Sequence, residues 1–229
     1  MTKCHSANTY KKDKTQSERR IILPKETFLN LPTERQQRID TILLDVFFNK
    51  HLSQVNVSEI VEKMQMSRGA FYKYFEDLED AHHYIVKKYS AIIHQDILQY
   101  AMMDESNFFK GIRNYFTWCT HLDKNEDYWK GLVLLTRINY QSTVKQTDFK
   151  RDSVYAEKWM ALLEKNHYQI DSPEEATRLL FFMMEMVNDS LTNWIMNEWS
   201  PKDFLQDFDY RIKWITQGIA KKRKEDENQ

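Results

Sequence analysis

Glycine is scarce in this sequence: Gly69, Gly111, Gly131 and Gly218 are the only four in 229 residues, well below the usual share of about 7%. No G-x-G-x-x-G turn and no Gly-rich phosphate loop can be written with them. With only four prolines as well, turn-dense sandwiches and barrels are poor candidates. Two cysteines, Cys4 and Cys119, cannot build a disulfide framework and fit a reducing compartment. Long apolar runs are missing too. The longest, Leu179 to Met184, falls far short of the ~20 residues of a membrane span, and the polar, basic first residues lack the apolar core of a signal peptide. A soluble, cytoplasmic protein with no membrane partner is expected. Neither sign of charge dominates: 33 Lys+Arg stand against 34 Asp+Glu. Any nucleic acid must therefore be met by a local face rather than a global field.

What is present is apolar matter with a helical period. Hydrophobic residues make up 41% of the chain and aromatics 14%, too much for a disordered chain. Thr33-Glu34-Arg35-Gln36 has the spacing of a capping box, and Ile39, Ile42, Leu43, Val46 and Phe47 follow it on one stripe. Asn56 and Ser67 are placed to cap two short helices, and Asp77 or Asp80 to start a long one carrying Ile85, Tyr89, Ile92, Ile93 and Ile97. Ser106 and Asn125 precede further periodic segments. Ser172-Pro173-Glu174-Glu175 and Ser200-Pro201 each put a Ser cap before a Pro at the first helical position. No period-two alternation marks a strand. The expectation is an all-α chain of about nine helices. In front of them, residues 1–31 form a basic leader with seven basic and three acidic side chains, seven minus three giving +4. Such a leader is either a solvated tail or an arm along a phosphate backbone.

Catalytic and metal-binding patterns are not found. His82 and His83 are adjacent and point about 100° apart on a helix, while Cys119 and His121, one residue apart, make a poor chelate. No G-x-S-x-G, H-E-x-x-H or C-x-x-C occurs. Neither a metal nor a cofactor is expected, and no enzyme activity is indicated.

Residues 56–75 stand out. If Val57–Met64 and Arg68–Tyr74 are helices joined by Met64-Gln65-Met66-Ser67, then Val57, Ile60, Val61, Ala70, Phe71 and Phe75 face a common interior. That is the layout of a helix-turn-helix, whose second helix can enter a major groove about 12 Å wide. It is equally the layout of an ordinary αα-hairpin with a solvated face. Arg68, Gly69, Tyr72 and Lys73 form the outward set, with side chains suited to base edges and phosphates.

The run Ile60-Val61-Glu62-Lys63-Met64-Gln65-Met66-Ser67-Arg68-Gly69-Ala70-Phe71-Tyr72-Lys73-Tyr74-Phe75, followed by Glu79-Asp80, resembles the DNA-binding segment of the tetracycline-repressor (TetR) family. That family's pattern is I-A-x-x-A-G-V-S-x-G-[ST]-[LF]-Y-x-[YH]-F, then K-E-x-L. The similarity covers residues 33–90; beyond them only the architecture is alike. Three of the departures from the family bear on the backbone and on DNA contact. His51 and Gln65 stand where the family has Gly, positions that favour a left-handed backbone at a cost of roughly 1 kcal/mol to other residues. Leu78 stands where the family has a phosphate-binding Lys.

The resemblance implies a three-helix DNA-binding head over residues 32–78 and a helical ligand-binding and dimerisation domain over residues 79–229. It implies a homodimeric regulator, usually a repressor, on a pseudo-palindromic double-stranded operator. The DNA-facing positions would be Asn56, Ser67, Arg68, Gly69, Ala70, Tyr72, Lys73 and Tyr74. Tyr115, Phe116, Trp118, Trp129, Tyr155, Trp159 and Phe182 are either large core residues or, as the resemblance implies, the walls of a pocket with His121, Arg137, Asn139 and Asn188 as polar candidates, suiting a small, largely apolar effector. The helix from Pro173 is apolar over more than one face. Its Phe181, Met184, Asn188, Leu191 and Trp194, with Phe204, Phe208, Ile212 and Ile215 of the last helix, form the expected dimer interface. Two other classes compete. One is a protein-interaction module with weak or lost DNA binding, in keeping with six basic and seven acidic residues over positions 32–78. The other is a helical enzyme with a dispersed site.

Overall fold

Side-chain oxygens set where most of the helices start. In a computed structural model that describes residues 24–103, 107–137 and 154–218, Asn56, Ser67, Ser172 and Ser200 each accept the backbone N–H three residues on, as their spacing predicts. Asp77 does the same for the Asp80 N–H. The described residues form ten α-helices: α1 (Glu26–Leu29), α2 (Thr33–Phe47), α3 (Val57–Met64), α4 (Arg68–Tyr74), α5 (Leu78–Met103), α6 (Phe108–Cys119), α7 (Asp127–Thr136), α8 (Val154–Lys165), α9 (Pro173–Met196) and α10 (Pro201–Gln217). A short 3₁₀ turn lies at Leu52–Gln54.

Three local expectations are corrected. The Thr33–Gln36 capping box does not form; Pro32 takes the N-cap position and the Gln36 side chain instead donates to the Leu29 and Leu31 carbonyls, at 2.9 Å each. The amide is spent on tying the preceding segment to α2. His51 has φ −70° and ψ 145° and opens the 3₁₀ turn, so no left-handed strain arises there, whereas Gln65 does adopt φ 54°. The leader is also shorter than residues 1–31. From Pro24 onward the chain is docked on the head as α1, with Phe28 fully buried, and this accounts for the additional helix. Residues 1–23 lie outside the described residues.

Helices α1–α4 form a head around Phe28, Leu43, Phe47, Ile60, Phe71 and Phe75, all without exposed surface. Helix α5 belongs to both head and body. Its Tyr84 ring packs on Phe28 and Phe75 at 5.0 and 5.8 Å, and further along it packs on α7 at Tyr89 and on α6 at Tyr100 and Ala101. The crossings are close because glycine is spent there: a Cβ on Gly111 would lie 2.2 Å from the Tyr100 carbonyl oxygen, and one on Gly131 2.4 Å from the Tyr89 ring. Polar contacts bolt head to body through α2. Lys88 pairs with the buried Asp40, Lys130 with Asp45 at 2.6 Å, Thr41 donates to Asp127 at 2.9 Å, and Arg137 donates to the Asn49 carbonyl at 3.0 Å. Helix α10 closes the body, with Arg113 on Asp209 at 2.7 Å and Arg211 on Asp189 at 2.7 Å.

Candidate nucleic-acid interface and effector cavity

The α3–α4 hairpin is fixed by backbone geometry before any side chain points outward. Gln65 in the left-handed conformation ends α3, its N–H donating to the Glu62 carbonyl at 3.0 Å and the Met66 N–H to the Val61 carbonyl at 3.0 Å. Ser67 then starts α4 by accepting the Ala70 N–H. Asn56 holds the front of α3 through the Glu59 N–H at 3.0 Å. Val57, Ile60, Val61 and Phe71 turn inward and are buried.

What remains outward on α4 is Arg68, Gly69, Tyr72 and Lys73, all exposed. Among the described residues neither Arg68 nor Lys73 is held in an ion pair, whereas Lys50 is committed to Glu59 at 2.6 Å and Lys25 to Glu76 at 3.1 Å. Two unpaired cations and a phenol on one short helix can neutralise phosphates or meet guanine edges. Two of the expected DNA-facing residues sit differently. Ala70 is half-buried, and Tyr74 is only 8% exposed, its ring edge against Phe28 at 5.9 Å. Tyr74 is spent on the core. Leu78 likewise packs against the head core as a partly buried residue.

One feature of this surface was not foreseen. The carbonyls at the end of α4 are occupied by the segment before α2: the Lys25 N–H and ammonium donate to the Tyr74 and Tyr72 carbonyls, and the Thr27 hydroxyl to that of Lys73. The signal available in the sequence was Phe28-Leu29 and Leu31, apolar residues in an otherwise polar stretch.

A cavity of about 320 Å³ opens between α5, α6, α8 and α9. Its walls are Ala91, Ile97, Leu98 and Ala101 of α5, Phe108 and Ile112 of α6, Trp159 of α8, and Leu180, Met183, Met184 and Val187 of α9. His94, Gln95 and Asn188 are its polar groups, and among the described residues no Lys, Arg, Asp or Glu is in its walls. Burial pushes the His94 imidazole below its ordinary value, so the ring stays neutral at pH 7. The Trp159 indole N–H donates to the Ala176 carbonyl at 2.7 Å and is unavailable to an occupant.

Of the aromatics expected in a pocket, Trp159 lines this cavity. The others lie elsewhere. Tyr115 and Phe116 are fully buried core, Phe116 lying 4.7 Å from both Phe204 and Phe208. Trp118 sits at the surface on Tyr128, and Trp129 packs edge-on to Trp194 at 5.3 Å under the Lys124 ammonium. His121 is exposed beside the Thr117 carbonyl, Arg137 is bound to Asn49, and Phe182 is 50% exposed. Asn139 and the Tyr155 side chain lie outside the described residues. Asn188, a polar candidate for the pocket as well as an expected interface residue, lines the cavity, as does Met184, expected at the interface.

Several other expected interface residues are consumed inside the chain. Leu191, Trp194, Phe204 and Phe208 are buried, with Trp194 stacked on Phe204 at 4.6 Å. Phe181, Ile212 and Ile215 are partly buried. The large apolar side chains that α9 and α10 leave uncovered are Phe182, Met196, Tyr210 and Trp214, the last two stacked at 6.3 Å.

Burial pushes the Cys119 thiol up to about 12, so it is no nucleophile at neutral pH. Among the described residues no group of three His, Cys, Asp or Glu could hold a metal ion, and no helix is long and apolar enough to cross a membrane.

Residues 107–219 match a family model described as the tetracyclin repressor-like C-terminal domain. No curated protein matches the sequence. Among solved structures, the chain is similar to a TetR-family transcriptional regulator from Syntrophomonas wolfei, at 18% identity and a TM-score of 0.56 over 82% of this chain and 97% of that one. It is also similar to the MbdR regulator from Azoarcus sp. CIB, at 15% identity and a TM-score of 0.50 over 82% of this chain and all 100% of the other. At these identities the likeness is one of fold.

Proposed function

We propose that this protein is a homodimeric, sequence-specific DNA-binding regulator of transcription, since residues 107–219 match the tetracyclin repressor-like C-terminal domain and the helical head and body have the fold of TetR-family regulators. The observation that carries the reading is the outward face of α4: Arg68, Tyr72 and Lys73 exposed together on a helix whose two ends are both held. Each α4 of a dimer enters one major groove of a pseudo-palindromic operator. The uncovered Phe182, Met196, Tyr210 and Trp214 of α9 and α10 meet their two-fold mates, since a buried apolar face accounts for them better than solvent does.

The regulator acts as a repressor that a small ligand releases. The cavity favours an uncharged, largely apolar molecule, because its described walls are apolar with His94, Gln95 and Asn188 as neutral hydrogen-bonding groups. Such a ligand changes DNA affinity only by binding one arrangement of the two heads better than the other. Helix α5, running from Tyr84 in the head core to Ala101 in the cavity wall, connects the two.

Selection from a randomised duplex pool at moderate salt tests the reading. Enrichment of an inverted repeat supports it, and Arg68→Ala should then cost roughly 1–3 kcal/mol and relax preference at one base position. No retention of DNA would favour the protein-interaction alternative. Removing residues 1–23, which hold six basic and two acidic side chains, should lower affinity for all DNA alike and flatten the salt dependence if they track phosphate.

A further inference from the structure

We propose that Lys25 and Thr27, on the segment preceding α2, are positioning residues for α4: they hold its carbonyl end and so set which bases its outward face reads. The inference rests on the DNA-binding reading above. Helix α4 has seven residues, too few to hold itself in water, and the last carbonyls of any helix have no partner within it. In this head another segment supplies the donors. The Lys25 N–H donates to the Tyr74 carbonyl at 2.8 Å, the Lys25 ammonium to the Tyr72 carbonyl at 2.9 Å, and the Thr27 hydroxyl to the Lys73 carbonyl between them. Consecutive carbonyls are thus met by donors from one short stretch, with a cation where the helix dipole favours one.

The stretch is itself anchored. Phe28 has no exposed surface and wedges between Tyr74, Phe75 and Tyr84 at 5.9, 5.1 and 5.0 Å. Gln36 ties down the following turn through the Leu29 and Leu31 carbonyls. The grip falls on Tyr72 and Lys73, two of the residues whose side chains face outward. Base readout tolerates only about half an ångström of misplacement in its supporting backbone. The Lys25 ammonium is also paired with Glu76 at 3.1 Å, so its part is to fix geometry rather than to neutralise phosphate.

The test compares the full-length wild-type chain with Lys25→Met, Lys25→Arg and Thr27→Val. Affinity for the selected operator and for random duplex is measured across salt, with amide hydrogen exchange of α4 in the free protein. Lys25→Met and Thr27→Val should each lower the operator-to-random affinity ratio about three- to tenfold, leave the salt slope unchanged, and speed exchange in α4 but not in α9. Lys25→Arg should keep most of the ratio. An unchanged ratio overturns the proposal. So does an equal loss on operator and random DNA with a salt slope reduced by about one, which would make Lys25 a direct phosphate contact. Should Lys25→Met fail to fold, the isosteric Thr27→Val carries the same decision. Failure of the wild-type chain to enrich any duplex overturns the DNA-binding reading and the proposal together, whereas enrichment with variants that read DNA unchanged overturns the proposal alone.

Discussion

The head and the body use their apolar residues differently. In the head, Phe28, Leu43, Phe47, Ile60, Phe71 and Phe75 close a core with no exposed surface; Leu29 is left uncovered on α1, and α4 presents Arg68, Tyr72 and Lys73. In the body the same residue types have three fates: packed core such as Phe116, cavity wall such as Met183 and Val187, and uncovered surface such as Trp214. A head with a filled core can present a few polar side chains in fixed positions, even with a groove beside it at Arg38, Ile42 and Met66. A looser body has room for an occupant and a face for a partner. The two demands are opposite, and one chain meets them by separating them along α5.

Truncation at the head core should show the largest effect. Phe28→Ala removes a ring wedged among three aromatics and should destabilise the head by about 3–5 kcal/mol in denaturant titration, with transitions of head and body separating. A matched pair then sharpens the contrast. Val46 and Val187 are both buried, but only Val187 borders the cavity. Val46→Leu should cost about 1–3 kcal/mol by overpacking, while Val187→Leu should stay within about 0.5 kcal/mol of wild type because its extra methylene has space. Equal costs would mean that the body is as tightly packed as the head. Relieving backbone strain comes next: Gln65→Gly, at φ 54°, should raise stability by up to about 1 kcal/mol.

The last test concerns the junction. Burial of the His82 imidazole against Phe47, helped by the nearby His83 and His51, holds it down to about 4. A folded-state value below the unfolded one of about 6.5 means that the unfolded chain binds the extra proton first. The stability associated with neutral His82 is therefore complete above about pH 6.5 and declines as pH falls toward 4. A His82→Phe variant should show a flatter stability profile over that window, and an unchanged slope would remove His82 from the account.

The head was legible because its signals are local. Asn56, Ser67 and the Arg68–Tyr74 span follow from caps and spacing within a few residues. The long helices α5 and α9 were legible for the same reason. The cavity was not, because it is made by what four helices leave unfilled: Ala91 and Ala101 withhold volume on α5, and Leu180, Met183 and Val187 read as ordinary core. Aromatic abundance pointed instead to Tyr115, Phe116 and Trp129, whose bulk fills space rather than leaving it. The sequence carries α9's apolar breadth, but not which of its faces Trp194, stacked on Phe204, would consume. Tyr74 is the corresponding case in the head, since its ring lies inward against Phe28, which arrives from outside the hairpin.

The glycine at the α5–α6 crossing has a mechanical consequence. With the Tyr100 carbonyl where a Cβ of Gly111 would be, α5 has no clearance to slide along α6, because a shift of one residue would set a larger side chain against the same backbone. A movement of α5 that keeps this contact would be a tilt about it, with the contact as a pivot near one end of a rod. From Tyr100 back to Leu78 the rod is on the order of 33 Å at about 1.5 Å per residue. A tilt of about 5° at the cavity would therefore carry the head end roughly 3 Å, about the rise between successive base pairs.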